Sequence, residues 1–363
     1  MKIIDSKPAN TSFITKYIYN GFNINEVFFL DIETTGLSAS NCMIYLIGIL
    51  YFDNDWKIKQ FFLDNAADEK EMLIQFADFI MNKGFKNVIH YNGATFDVKF
   101  IDSHCTYYDI DFSFKDIIQI DLYKYFTKYK SSLNLTSLKQ KDIENKFSIK
   151  RKDIYSGKEL IKLYKEYLLN HKAEYENDFL LHNYEDIVNL PILTTLLTFE
   201  DLSKGNYKIL DFKNINTFII ELNSPLPEFF NGNEYVKINQ LKENTYEIEF
   251  GEVVNATLKH FYDDYKNYYY LPSEDMAVHK SMATFIDKEK RIKANKSNCY
   301  TKLSSNFVLL PSNPLLHKKY DESTKSIFDS INVFKDENEN SYILQKELES
   351  DNLKEKIIKL ILY

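Results

Sequence analysis

The chain is poor in the residues that build disulfide frameworks and zinc sites. Its 363 residues include three cysteines, Cys42, Cys105 and Cys299, which are too few and too scattered for either kind of site. We therefore expect a protein of a reducing compartment, the cytoplasm. No apolar run is long enough to span a membrane, and residues 1–26 lack the apolar core of a signal peptide.

Arginine is also scarce, and positive charge is in deficit overall. Lysine supplies nearly all of the positive charge because arginine occurs only at Arg151 and Arg291, and the formal net charge at pH 7 is −8. A net negative charge argues against a protein that coats nucleic acid, but it is compatible with an enzyme that binds only the end of one strand. Hydrophobic residues make up 44% of the chain, which is ample for a buried core.

The most informative motif follows a short apolar run at residues 27–30. Asp31 and Glu33 come directly after this run, and side chains two residues apart lie on the same face of a strand. Two carboxylates held so close repel each other unless a cation lies between them, and oxygen ligands suit Mg²⁺ or Mn²⁺. A polar turn that happens to contain two acids is the alternative. The interpretation therefore depends on whether further carboxylates reach the same place.

Two later motifs supply such carboxylates. Asp97 follows an Asn-Gly turn signal after another short apolar run, at the carboxyl end of a predicted strand, where ligands of open α/β sheets collect. His182 and Asp186 lie four residues apart on a predicted helix and so share one face, whereas Glu185 is about 100° away from Asp186. Each motif has an ordinary explanation when taken alone: Asp97 as a charge at a helix N-terminus, and the His–Asp pair as a structural contact.

Together and in this order, the three motifs resemble those of the DEDD 3′–5′ exonucleases of the ribonuclease-H-like superfamily. Within that group the first motif, Asp31-Ile-Glu33-Thr-Thr-Gly36, is most similar to that of the bacterial YprB-type proteins. The resemblance covers roughly residues 25–200. It implies that Asp31, Glu33, Asp97 and Asp186 bind two divalent ions, Mg²⁺ or Mn²⁺, and that His182 is the general base. The best-known members place a tyrosine four residues, or a histidine five residues, before the last aspartate, whereas His182 lies four residues before Asp186, as in the YprB-type pattern.

Residues near these motifs are candidates for contacts with a nucleic-acid substrate. A basic stretch between residues 139 and 158 would provide a phosphate track, although a solvated surface explains it equally well. An aromatic ring beside the second motif would stack on a terminal base. The predicted substrate-binding residues are Thr34, Tyr91, Asn92, Lys139 and Arg151.

The function expected from these features is metal-dependent hydrolysis of nucleic acid. A 3′–5′ exonuclease acting on single-stranded or frayed ends is the main prediction. A structure-specific endonuclease with the same carboxylates is the alternative among enzymes. A catalytically silent nucleic-acid-binding protein is the alternative outside them, although a binding module has no need of four convergent acids. The sequence distinguishes neither DNA from RNA nor one oligomeric state from another.

The expected architecture is α/β, with a ribonuclease-H-like mixed five-stranded sheet flanked by helices. The strand at residues 27–32 should be central, with the next two strands antiparallel beside it and the later strands parallel on its other side. We divide the chain into an N-terminal extension (1–26), an exonuclease domain (27–200) and a C-terminal α+β module (201–363). Within that module we predict a hairpin (235–239 and 245–250), a strand (268–271) and helices (274–288 and 351–362).

Overall fold

The structure is a computed structural model that describes residues 1–214, 216–232, 236–310 and 332–349. The chain divides into two compact units. The first consists of Met1–Asp201 and Leu222–Phe230, so a short piece of the stretch assigned to the C-terminal module belongs to it. The second unit contains Leu202–Glu221 and the described residues after Phe230. Among the described residues, no helix combines the length and the apolar character needed to cross a membrane.

The first unit is built on a six-stranded mixed sheet. Its strands are β1 (Lys2–Ser6), β2 (Val27–Thr34), β3 (Ile44–Phe52), β4 (Trp56–Phe62), β5 (Asn87–His90) and β6 (Ile118–Asp121). They lie in the order β1-β4-β3-β2-β5-β6. β2 is antiparallel to β3 and parallel to β5, which confirms the predicted ribonuclease-H-like arrangement. The sheet has one strand more than the five predicted because β1, from the N-terminal extension, pairs with β4.

Nine helices of the described chain begin in this unit and surround the sheet. Long apolar runs in β2 and β3 are buried along nearly their whole length, as expected for strands covered on both faces. Gly84 ends α2 in the left-handed conformation, with φ at 68°, which favours glycine. The helices are α1 (Thr11–Tyr17), α2 (Glu69–Lys83), α3 (Asp97–Tyr107), α4 (Leu122–Lys128), α5 (Gln140–Lys146), α6 (Gly157–Asn170), α7 (Ala173–Val188), α8 (Leu190–Leu193) and α9 (Thr195–Lys204).

The second unit consists mainly of strands. In the described residues these form a four-stranded sheet, a closed barrel and a three-stranded sheet. The sheet contains β7 (Lys208–Asn214), β8 (Thr217–Glu221), β9 (Val236–Lys242) and β10 (Thr245–Phe250). The barrel contains β11 (Val253–Phe261), β15 (Tyr300–Leu309), β16 (Val333–Lys335) and β17 (Ser341–Leu344), and the small sheet contains β12 (Tyr268–Leu271), β13 (Met276–His279) and β14 (Ile292–Lys293).

Predictions for the C-terminal module had mixed outcomes. β9 pairs with β10 as the expected hairpin, and β12 occupies the expected strand. The predicted helix at 274–288 is wrong: β13 pairs antiparallel with β12, and only the short helix α10 (Lys280–Ala283) follows. Asp275 adopts a φ of 50° in the turn before β13. This left-handed conformation is incompatible with the predicted right-handed helix. The predicted helix at 351–362 lies outside the described residues.

Helix α7 approaches the sheet closely because β3 carries a glycine where they meet. Gly48 lies opposite Asp31 in the β2–β3 register, and a Cβ added at Gly48 would overlap the Asn183 side chain of α7. Asn183 uses this space for hydrogen bonds to β2 and β4. Its Nδ2 donates to the Asp31 carbonyl oxygen at 3.1 Å, and its Oδ1 accepts from Gln60 Nε2 at 2.8 Å.

We expect Gly48→Ala to lower the free energy of unfolding by about 1–3 kcal/mol, the usual cost of overpacking a core. Gly157→Ala is the matched control because no atom lies within 4 Å of a Cβ added there. Urea denaturation of the two variants tests this expectation. Equal stability of Gly48→Ala and the wild type would show that α7 does not depend on close contact at this position.

Candidate active site

The three sequence motifs meet at the carboxyl ends of β2 and β5, beside α7. Asp97 is the first residue of α3, after β5, and its Oδ1 accepts a hydrogen bond from the Ile32 backbone N–H of β2 at 3.0 Å. Asn183 of α7 donates through Nδ2 to Asp31 Oδ2 at 2.9 Å. Hydrogen bonds therefore link Asp97 of α3 to the backbone of β2, and Asp31 of β2 to helix α7.

His182 faces the carboxylates from the helix side. Its Nε2 lies 3.2 Å from Asp186 Oδ2 and 3.5 Å from Glu33 Oε1. Glu33, His182 and Asp186 each offer one ligand-type atom, and these atoms all lie within 4.8 Å of one another. The shared helix face of His182 and Asp186 is thus as predicted, and Glu185 points elsewhere, to backbone N–H groups.

Burial and mutual repulsion raise the pKa values of Asp31, Glu33 and Asp97. Burial raises the pKa of Asp31 well above its usual range, and the charges of Asp186, Asp97 and Glu33 add to this. Burial also raises the pKa of Glu33 to about 7, against the opposing effect of His182. The pKa of Asp97 is likewise raised to about 7 by burial, although backbone hydrogen bonds lower it. Ionising all of these groups together is therefore unfavourable without added positive charge.

This donor set fits a divalent cation. The converging atoms are carboxylate oxygens and one imidazole nitrogen, and hard cations such as Mg²⁺ and Mn²⁺ prefer oxygen ligands. The raised pKa values indicate a space where a positive charge would be stabilised. Glu33, His182 and Asp186 are the residues whose ligand-type atoms converge, and Asp31 and Asp97, the other two predicted ligands, lie near enough to interact with Asp186.

Asp153 contacts His182 on the side away from the carboxylates and was not predicted from the sequence. Its Oδ2 lies 2.8 Å from His182 Nδ1, and the Asp153 side chain is 1% exposed. Burial would lower the pKa of His182, but Asp153, Glu33 and Asp186 together raise it above its ordinary value. No local sequence signal marks Asp153, because it lies in an irregular segment nearly thirty residues before His182.

The Arg151 side chain is buried and contacts two acidic side chains. Its Nε and Nη2 donate to the two carboxylate oxygens of Glu144 at 2.5 and 2.6 Å, and Nη2 lies 2.6 Å from Asp186 Oδ1. The Arg151 side chain is 7% exposed. The predicted substrate-binding role of Arg151 is untested, but its guanidinium is already bound to two internal acids.

The other predicted substrate contacts differ in exposure. Thr34 is buried, and its hydroxyl donates to the Gly36 carbonyl oxygen at 2.6 Å. Tyr91 is partly exposed, and its hydroxyl donates to the Leu138 carbonyl oxygen at 2.7 Å. Asn92 and Lys139 are exposed. Of these four residues, Asn92 and Lys139 are therefore the most accessible to a strand in solvent.

We expect the free energy of unfolding of the metal-free protein to fall as the pH rises from about 4 through about 7. The raised pKa values of Glu33 and Asp97 mean that the folded protein keeps protons that the unfolded chain has released. The raised pKa of His182 acts in the same direction. Mn²⁺ at about a hundred times its dissociation constant should restore about 2.7 kcal/mol at pH 8.

Thermal unfolding at pH 5.5 and pH 8, with and without Mn²⁺, measures both effects. Glu33→Gln removes one of the acids and should weaken both the pH dependence and the stabilisation by Mn²⁺. Stabilisation by Mn²⁺ that is no larger at pH 8 than at pH 5.5 would contradict binding to these carboxylates.

Comparison with known proteins agrees with the observed sheet. Residues 28–198, somewhat less than half of the chain, match the family model RNase_H_2, described as RNase_H superfamily. No curated protein matches the chain.

Several solved structures are similar to the chain. One is the family B DNA polymerase from the hyperthermophilic archaeon Pyrobaculum calidifontis, at 10% identity and a TM-score of 0.42, over 93% of this chain and 46% of that one. Another is exonuclease I in the apo form, at 10% identity and a TM-score of 0.32, over 54% and 56% of the two chains. A third is the zinc-bound E. coli ExoI–ssDNA complex, at 15% identity and a TM-score of 0.29, over 54% of each chain.

The chain spans about half the length of these solved structures. The topology of the first unit and the family match agree on the fold. Residues 28–198 therefore have a ribonuclease-H-like fold.

Proposed function

We propose that this protein is a metal-dependent 3′–5′ exonuclease that hydrolyses phosphodiester bonds at single-stranded or frayed ends. The observation that supports this most directly is the convergence of Glu33, His182 and Asp186 within 4.8 Å, next to Asp31 and Asp97. A phosphodiester is already anionic and gains charge as a nucleophile adds to it. An acidic pocket therefore suits this substrate only if cations reverse the sign of its field.

Asp31, Glu33, Asp97 and Asp186 are the residues that would hold two ions, Mg²⁺ or Mn²⁺. When bound, two such ions would stabilise the charge that develops on the attacking and leaving oxygens. The Ile32 backbone N–H holds Asp97 in place, and the Asn183 amide holds Asp31. Contacts with a strand backbone and with helix α7 therefore position two of the proposed ligands.

His182 is the proposed general base. Its Nδ1 lies against Asp153, which leaves Nε2 on the side of the carboxylates. An imidazole ordinarily has a pKa of about 6.5, and the neighbouring acids raise the pKa of His182 above that value, which makes it a stronger proton acceptor. In this role Nε2 would take a proton from the attacking water.

Exonuclease activity can be tested on linear and circular substrates. In Mn²⁺ or Mg²⁺ we expect stepwise shortening of 5′-end-labelled single-stranded DNA or RNA, and EDTA should abolish it. Circular single-stranded DNA should stay intact because it has no end. Cleavage of circles would contradict the exonuclease proposal and favour an endonuclease, and comparison of DNA with RNA identifies the preferred substrate.

We expect His182→Ala to lower turnover by roughly 10²–10⁴, the usual contribution of general acid–base catalysis. Its Mn²⁺ affinity should change little because the carboxylates remain. Asp31→Ala should weaken both Mn²⁺ binding and turnover, since it removes a ligand oxygen. Steady-state kinetics and calorimetric titration with Mn²⁺ separate the two effects.

Tyr184 provides the control for this assignment. It lies on the same helix, but its hydroxyl accepts a hydrogen bond from the Ala9 backbone N–H at 3.0 Å, away from the carboxylates. Tyr184→Phe should therefore keep near-normal turnover. If Tyr184→Phe lost activity while His182→Ala kept it, His182 would not be the base.

A further inference from the structure

We propose that Arg151 and Asp153 are positioning residues that determine which atoms of Asp186 and His182 face the site. The segment at residues 151–153 lies between α5 and α6. Arg151 places a positive charge beside Asp186, and Asp153 places a negative charge beside His182. The inference rests on the proposed function, because it concerns how that site is held. It also gives Arg151 a role different from the substrate contact predicted from the sequence.

Asp153 determines the orientation of the His182 ring. Its carboxylate is held from several sides: Lys141 Nζ donates to Oδ2 at 2.5 Å, and the Tyr155 backbone N–H donates to Oδ1 at 3.0 Å. An ionised carboxylate only accepts hydrogen bonds. His182 Nδ1 lies 2.8 Å from this carboxylate, and two acceptor atoms at that distance would repel each other, so we infer that Nδ1 carries a proton. This leaves Nε2 as the nitrogen that faces Glu33 and Asp186.

Arg151 contacts one oxygen of the Asp186 carboxylate and leaves the other to face the site. Its Nη2 lies 2.6 Å from Oδ1, whereas Oδ2 is the oxygen near His182 Nε2. The guanidinium is itself held by the bidentate contact with Glu144, which is nearly fully buried. Lysine cannot reproduce this fork, by which we mean the planar two-donor contact of the Arg151 guanidinium with Glu144. The chain uses arginine at only two positions, and one of them is this internal fork.

Glu185 anchors the segment to the helix that carries the functional side chains. It accepts hydrogen bonds from the Lys152 and Asp153 backbone N–H groups at 2.8 and 3.0 Å. Glu185 lies between His182 and Asp186 in α7. The helix thus holds the segment through Glu185, and the segment in turn holds His182 and Asp186.

Three measurements on Arg151→Lys and Asp153→Asn test this inference. Calorimetric titration with Mn²⁺ in the absence of nucleic acid reports on Asp186. Separate kcat and KM values distinguish positioning from substrate binding. Nitrogen NMR of ¹⁵N-histidine-labelled protein reports which ring nitrogen of His182 is protonated, and the chain has seven histidines to resolve.

We expect Arg151→Lys to weaken Mn²⁺ binding by about 10–100-fold, the usual effect of removing a partner of a metal ligand. We expect Asp153→Asn to lower kcat by about 10–100-fold with little change in KM, and to reduce Nδ1 protonation of His182. The matched controls are Arg291→Lys, the same change at the other arginine, and Asp142→Asn, at an exposed acid next to Lys141. Both controls should behave like the wild type.

Several outcomes would overturn the inference. A rise in KM for Arg151→Lys, with kcat and Mn²⁺ affinity unchanged, would make Arg151 a substrate contact. Wild-type His182 protonated only at Nε2 would exclude the role of Asp153, whether or not the variants fold. If Arg151→Lys does not fold, Glu144→Gln tests the same fork and should also weaken Mn²⁺ binding.

The inference and the proposed function can fail separately. A wild-type protein that hydrolyses no nucleic acid would refute the function, while Mn²⁺ titration and NMR would still test the positioning of Asp186 and His182. An active enzyme whose Arg151→Lys and Asp153→Asn variants match their controls would instead refute the positioning alone.

Discussion

Repulsion between converging carboxylates is the constraint on which this structure depends. Asp31, Glu33 and Asp97 all have raised pKa values because they are buried near one another and near Asp186. Such an arrangement persists only where donors and cations surround it. The surrounding contacts come from the backbone of β2, the amide of Asn183, the ring of His182 and the guanidinium of Arg151.

The hydrophobic core is stabilised by packing that does not involve the repelling acids of the site. β3 and the helices pack large aromatic side chains together. The rings of Tyr45 and Tyr164 are stacked with their centroids 4.0 Å apart, and Phe179 of α7 contacts the ring of Tyr45 edge-on. Burial of these rings provides hydrophobic stabilisation that does not depend on the charge state of the acids. Helix α7 therefore contributes to the core through one face and presents His182 and Asp186 through another.

Local patterns in the sequence were sufficient to predict the elements that carry the motifs. The apolar runs of β2, β3 and β4 predicted buried strands, and the four-residue spacing of His182 and Asp186 predicted a shared helix face. Both predictions concern neighbours along the chain, for which side-chain periodicity is informative. The added strand β1 was missed because its two isoleucines form too short a run to distinguish it from a loop.

Long-range contacts account for most of what the sequence did not reveal. The contacts of Arg151 with Glu144 and Asp186 could not be predicted, because the sequence shows only that Arg151 lies in a basic stretch. Asp153 was missed because its partner His182 becomes its neighbour only in the folded chain. The predicted helix at 274–288 failed because pairing with the tyrosine-rich strand β12 overrides local helix propensity.

The position of β1 at the margin of the sheet has a consequence for solubility. β1 covers β4, whose backbone N–H and C=O groups would otherwise form an exposed edge able to pair with other chains. β1 itself is short and carries charged side chains, with Lys2 bound to Glu176 and Asp5 bound to Lys59. Short, charged edge strands are poor templates for intermolecular pairing. We therefore expect the N-terminal residues to protect the edge of this sheet from pairing with other chains.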